Sequence, residues 1–241
     1  MSAIKIENLK KCYKDVVAVD GLSMEINEGE LISLLGVNGA GKTTTIKMLS
    51  GLVSPTSGNA YLLGESIVEN CAKVKSFIAV SPQETAIALG LTTKENLQLI
   101  CGVYGYDKQK TNEKIIELTN LLGLNEVLDK KSSKLSGGYK RRLSIAMALI
   151  SEPKILFLDE PTLGLDVISR SELWDKISAL KGKVTIILTT HYMEEAEALS
   201  DRVAIMKDGK LLIFDTVDEI KKVANCNNFE QAFISIVKGA K

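Results

Sequence analysis

Leu31-Ile-Ser-Leu-Leu35 runs directly into Gly36-Val-Asn-Gly-Ala-Gly41-Lys42-Thr43. The first five residues form an apolar run of the kind expected in a strand buried in a parallel or mixed sheet. The next eight match GxxxxGK[ST] in full, and residues 42–50 read as a helix. Glycines between a strand and a helix let backbone N–H groups turn inward around phosphate oxygens, and the helix N-terminus adds partial positive charge. Lys42 can reach the β- and γ-phosphates, and the Thr43 hydroxyl can bind Mg²⁺. The candidate nucleotide-binding residues here are Gly36, Asn38, Gly39, Ala40 and Gly41, with Lys42, Thr43 and Thr44 at the helix start.

Comparable apolar runs recur at residues 77–80, 155–158, 184–188 and 203–206, with helical patterns between several of them, so the class is α/β. Ahead of the loop, Ile4 and Ile6, Val17 and Val19, and Leu22, Met24 and Ile26 alternate as half-buried antiparallel strands do. Asp208-Gly209 is a hairpin signal that ends the sheet antiparallel. Residues from about 90 to 149 read as helical throughout. Thr92 and Glu95 have capping-box spacing, and Leu97, Ile100, Cys101 and Tyr104 share one face. Ile115, Leu118 and Leu122 continue that spacing to Gly123, a C-cap. From Asp218 the tail reads as two short helices, with Phe229, Ala232, Phe233, Ile236 and Val237 forming a stripe toward the core.

The 241 residues are 45% hydrophobic and 25% charged, a balance that excludes a disordered chain. Thirty Lys and Arg offset thirty Asp and Glu, which removes the bulk electrostatic argument for nucleic acid. No apolar run approaches the ~20 residues of a bilayer helix, and the N-terminus shows no signal-peptide core. Cys12, Cys71, Cys101 and Cys226 lack CxxC spacing and read as free thiols, so the expectation is a cytosolic chain.

Three further stretches carry chemistry. Ile155-Leu-Phe-Leu-Asp159-Glu160 ends an apolar strand on two carboxylates, on the sheet edge where open α/β sheets bind ligands. Asp159 is suited to hold hydrated Mg²⁺ opposite Thr43, and Glu160 to polarise an attacking water as general base. His191, the only histidine, follows Leu188-Thr-Thr on the same edge. Its neutral imidazole can bond a γ-phosphate and orient Glu160 and the water. Leu135-Ser136-Gly137-Gly138 opens a helix. Ser136 as N-cap with two glycines fits either an ordinary helix start or an anion site. Lys140, Arg141 and Arg142 beside it read as a solvated basic face.

In this order along the chain, the phosphate loop, Leu135-Ser-Gly-Gly, Asp159-Glu160, Gly164-Leu-Asp166 and His191 resemble the nucleotide-binding subunit of an ABC transporter, from Lys5 to about Val217. The resemblance implies an α/β P-loop NTPase core with a mixed sheet, an N-terminal antiparallel β subdomain and an inserted α-helical subdomain at about 90–150. It places an ATPase domain at 1–217 and a helical tail at 218–241. ATP and Mg²⁺ are the implied ligand and cofactor. Glu160, His191 and Lys42 are the implied catalytic groups of an ATP hydrolase. Tyr13 stands where an aromatic ring stacks on adenine, and Gln83 where a glutamine contacts Mg²⁺ beside Thr43 and Asp159.

The resemblance also implies a head-to-tail dimer. ATP on one subunit's phosphate loop is covered by the signature of the other (Leu135, Ser136, Gly137 and Gly138), with Asp166 at the seam. Tyr139 stands where the family signature commonly ends in Gln. Thr43-Thr-Thr-Ile, Gly138-Tyr-Lys-Arg-Arg-Leu and Thr189-Thr-His-Tyr-Met-Glu-Glu-Ala are similar to the drug, antibiotic and sodium exporter branch. Export is therefore expected, through a separate transmembrane permease gripped in part by residues 90–106, with this chain peripheral on the cytoplasmic face of the membrane. The alternative is a soluble ABC-type ATPase working on DNA or ribosomes. Such relatives carry coiled-coil or zinc insertions or a second ATPase module, and the interval from Gln83 to Ser136 holds only the helical block.

Overall fold

In the computed structural model, β3 (Leu31–Leu35) lies inside a six-stranded sheet with all five residues buried. It pairs in parallel with β8 (Thr185–Thr190) on one side and β9 (Arg202–Lys207) on the other. Beyond β8 lie β7 (Ile155–Asp159) and then β6 (Ile78–Ser81), both parallel. The far edge is β10 (Lys210–Asp215), antiparallel to β9 across the Asp208-Gly209 turn. Both turn residues have positive φ, 49° and 78°, as a tight two-residue hairpin requires. The structure describes residues 2–239. The ends of the expected spans, Met1, Ala240 and Lys241, lie outside them.

The apolar runs lack alternation because both sheet faces are covered. Ile32 and Leu34 pack with α1 (Lys42–Leu49) and the antiparallel layer, whereas Leu31 joins the helices on the opposite face. That antiparallel layer is β1 (Ser2–Tyr13), β2 (Val16–Asn27), β4 (Ser57–Leu62) and β5 (Glu65–Ser66), in the order β2-β1-β4-β5. In β1 the buried positions change phase between Ile6 and Leu9, where the register shifts and Asn8 has φ 48°. This is a bulge, one extra residue absorbed by a left-handed backbone. Val17 departs from its expected place. It is 44% exposed while Val19 is buried, because the β1–β2 end projects past the core.

The helical block is broken more often than its periodicity predicts. After α2 (Cys71–Lys75) come α3 (Thr93–Val103), α4 (Lys108–Leu122) and α5 (Gly137–Leu149), with two short 3₁₀ turns between α4 and α5. Thr92 and Glu95 exchange both capping-box hydrogen bonds, at 2.7 and 3.1 Å. Gly123 ends α4 in the left-handed region. Between α4 and α5 the chain returns to lie beside residues 89–91, with Ser132 and Ser133 N–H donating to the Leu91 and Leu89 carbonyls. These non-local bonds have no helical period, so the sequence pattern does not announce them.

Helices α6 (Val167–Ser178) and α7 (Met193–Leu199) flank β8. Helices α8 (Val217–Val223) and α9 (Phe229–Gly239) bury Ile220, Phe229, Ala232 and Phe233 against Leu35, Val203 and Ile205. No helix among the described residues is long and apolar enough to cross a membrane.

Candidate nucleotide-binding site

The loop between β3 and α1 needs its glycines for space as well as for conformation. A Cβ on Gly36 would stand 2.5 Å from the Met206 carbonyl oxygen. One on Gly41, at φ 100°, would stand 2.5 Å from the Ala18 carbonyl oxygen. Neither contact can relax, because both obstacles are backbone of neighbouring strands. The loop is thereby pressed onto the sheet edge, and Thr45 N–H donating to Gly41 O starts the helix. A cavity of about 520 Å³ opens above it. Asn38, Gly39, Ala40, Gly41, Lys42, Thr43 and Thr44 line its floor, with Glu160, His191, Gln83 and Tyr13 on its walls.

Gly36 and Asp159 lie outside that lining. Asp159 sits behind Thr43 and takes hydrogen bonds from Thr43 Oγ1 at 3.1 Å and Thr189 Oγ1 at 2.5 Å. Two hard oxygen donors side by side are the sparse protein share that suits Mg²⁺, which keeps waters and phosphate oxygens in its other positions. Gln83 reaches the same cavity from the segment after β6.

Lys42, buried, donates to the Gly36 carbonyl at 2.7 Å, and its Nζ lies 3.5 Å from Glu160 Oε1. Glu160 has φ 48°, a left-handed conformation that costs a non-glycine residue about 1–3 kcal/mol. Its N–H is pinned by the Thr189 hydroxyl at 2.9 Å and lies 3.2 Å from the Thr189 carbonyl. The strained turn swings the carboxylate off the strand direction, away from Asp159 and into the cavity. There Glu160 Oε2 meets His191 Nδ1 at 2.8 Å. An ionised carboxylate only accepts, so that contact places a proton on Nδ1. In the neutral ring Nε2 is then an acceptor. A neutral His191 can orient Glu160 but cannot also donate to a phosphate in this pose.

The structure separates the remaining expected residues from this cavity. Ser136 caps α5, its Oγ accepting from Tyr139 N–H at 3.4 Å, and Leu135, Ser136, Gly137 and Gly138 do not line the cavity. Asp166 caps α6, accepting from Ser169 N–H at 2.9 Å and Ser169 Oγ at 2.7 Å. Those bonds hold its carboxyl below the usual range.

The basic stretch after the signature is a correction. Arg141 and Arg142 are 5% and 8% exposed, whereas a solvated face was expected. Arg142 stacks over the Tyr139 ring at 4.3 Å. Arg141 gives two 2.7 Å hydrogen bonds, to the carbonyls of Pro82 and Gln83. Burial pulls its pKa down, opposed by the charges of Asp159 and Glu195. Local sequence shows three adjacent bases and nothing of the carbonyls that receive one of them. Arg141→Lys keeps the charge but not the two-pronged geometry. Denaturant unfolding is expected to register a loss of about 1.5–3 kcal/mol, the worth of one charge-assisted bond. Thr189 holds both Asp159 and Glu160, and its only signal in the sequence is a polar residue ending an apolar run.

Fold and site together define an α/β P-loop nucleotide-binding protein. A family model described as ABC transporter matches residues 19–163. Human phospholipid-transporting ATPase ABCA3 is 42% identical over 215 residues, covering 88% of this chain and 13% of that protein. The daunorubicin/doxorubicin resistance ATP-binding protein DrrA of Streptomyces peucetius is 38% identical over 226 residues, covering 93% of this chain and 68% of that protein. A dimeric ATP-binding cassette in a post-hydrolysis state, bound to ADP and Pi, superposes with a TM-score of 0.79 at 25% identity, covering 88% of this chain and 98% of that one. The chain belongs to the ABC transporter family, as an ATP-binding subunit. It spans only a small fraction of ABCA3.

Proposed function

We propose that the chain hydrolyses MgATP as half of a head-to-tail dimer and drives export through a separate membrane permease. The observation that carries this reading is Glu160, held between Lys42 and His191 on the wall of the phosphate cavity. Tyr13 receives the adenine ring, and the loop N–H groups with Lys42 receive the phosphates. Thr43, Asp159 and Gln83 would hold Mg²⁺, which would supply neutralisation of the phosphate charge. Glu160 accepts a proton from the attacking water while His191 fixes its direction.

The signature segment and Asp166 complete the site of a second copy. Their absence from the chain's own cavity supports that assignment, as does the dimeric relative with bound ADP and Pi. The test is phosphate release from MgATP by the purified chain, rising more steeply than first order in protein at low concentration. Release that persists in excess EDTA counts against the Mg²⁺ reading.

A membrane partner is supported by an apolar groove of about 520 Å³ between α3, α5 and β6, where Leu52, Val103 and Tyr104 are more than half exposed. Such a cluster suits a short amphipathic segment of the permease. On assembly, residues 90–106 are expected to become protected from protease. Unchanged cleavage there, in a complex that forms, removes this surface from consideration. The DrrA relative, named for drug resistance, favours export.

A further inference from the structure

Beneath the cavity lies a carboxyl that the proposed mechanism does not use. Glu195, on α7 four residues after His191, is fully buried. Trp174 Nε1 on α6 donates to its Oε1 at 3.0 Å. The hydroxyls of Thr190 and Thr162 face the same carboxyl. Even so, Glu195 Oε2 and Thr162 Oγ1, both buried, have no hydrogen-bond partner. Two facing buried oxygens without partners carry a desolvation penalty that one bond between them removes. Thr162 opens the turn that leads from Glu160 to Asp166, with Leu165 N–H donating to its carbonyl. Thr190 immediately precedes His191 and takes a bond from Tyr192 N–H at 2.9 Å.

We propose that Glu195 is a positioning residue for ATP hydrolysis. Its carboxyl closes a hydrogen bond to Thr162 in the reacting complex and locks the 160–166 turn against the strand end that carries His191. Burial holds this carboxyl above the ordinary glutamate range, against the pull of Thr190 and Trp174 and with the Glu160 charge pushing the same way. The neutral form has an O–H to give, and Thr162 Oγ1 can accept it. The bond spans the three elements whose relative placement sets Glu160 and His191: the 160–166 turn, the end of β8, and α6 through Trp174. A shift of an ångström in such a frame is enough to change turnover by about a hundredfold.

The inference rests on the reading of Glu160 and His191 as groups that act on ATP. The chain's single tryptophan, Trp174, reports directly on Glu195. The experiment measures MgATP turnover, affinity for a fluorescent ATP analogue, and the change in Trp174 emission on ATP binding. It compares the full wild-type chain with Glu195→Gln, Glu195→Ala and Thr162→Val. Glu195→Gln, a neutral donor of the same shape, is expected to keep kcat within about threefold. Glu195→Ala and Thr162→Val are expected to lose about tenfold to a hundredfold in kcat with analogue affinity unchanged, and to lose the emission change. If Glu195→Ala does not fold, the near-isosteric Thr162→Val carries the test alone.

Normal kcat in Thr162→Val overturns the proposal. So does a Glu195→Gln variant as impaired as a folded Glu195→Ala. If the wild-type chain itself does not hydrolyse ATP, the reading of Glu160 fails instead. Wild-type turnover with unaffected variants overturns only the role of Glu195.

Discussion

Glu160→Gln is expected to bind ATP as the wild-type chain does and to lose about a hundredfold to ten-thousandfold in turnover, the usual share of a general base. The substitution keeps the shape and leaves Lys42 its bonds to the Gly36 and Val37 carbonyls, so the phosphate loop stays formed. What disappears is the group that accepts a proton from water. At least about 2.7 kcal/mol of barrier lowering goes with it. In the proposed dimer, ATP that is bound but not cleaved holds two copies together, and sedimentation in ATP should show the variant as a dimer. Near-normal turnover would leave Glu160 as a mere structural counter-ion of Lys42, a role the 3.5 Å approach also permits.

His191→Ala carries the second-largest effect. It removes a 2.8 Å bond to an ionised carboxylate and a ring packed on Tyr192 at 4.1 Å between centroids. A hydrogen bond to a charged group is worth about 1.5–3 kcal/mol, which converts to roughly tenfold to a hundredfold in kcat if all of it serves to aim Glu160. ATP affinity should change little, because the loop N–H groups, Lys42 and Thr43 are untouched. The decisive measurement is kcat against Kd for ATP. A fall in affinity as large as the fall in kcat would make His191 a phosphate-binding residue with no part in aiming the base.

Much of this geometry was legible in advance. The phosphate loop declares itself because its chemistry is local: glycines, lysine and threonine must be contiguous to wrap one group of phosphates. The parallel core was legible because strands buried on both faces lose their alternation, as Leu31–Leu35 does. Arg141 was misread for the opposite reason. Three consecutive bases look solvated, and only packing α5 against the segment after β6 brings the Pro82 and Gln83 carbonyls to receive one of them.

The same division runs through the site. The fold class, the phosphate loop, and the placement of Asp159, Glu160 and His191 at strand ends on one edge are written in the chain. Family membership is written there too, since those motifs and their order are properties of the chain alone. What each group faces is set by the packing of strands and helices. The left-handed turn at Glu160 sends adjacent carboxylates to different partners, Asp159 to two threonine hydroxyls and Glu160 to Lys42 and His191. The same packing buries Glu195 beside Trp174 and Thr162 from separate elements. Hydrogen bonds act over about 3 Å, and residues that far apart in space stand 30 positions apart in the chain at Thr189 and Asp159. No local pattern encodes such pairs, because the pairing of β7 with β8 is what makes them neighbours.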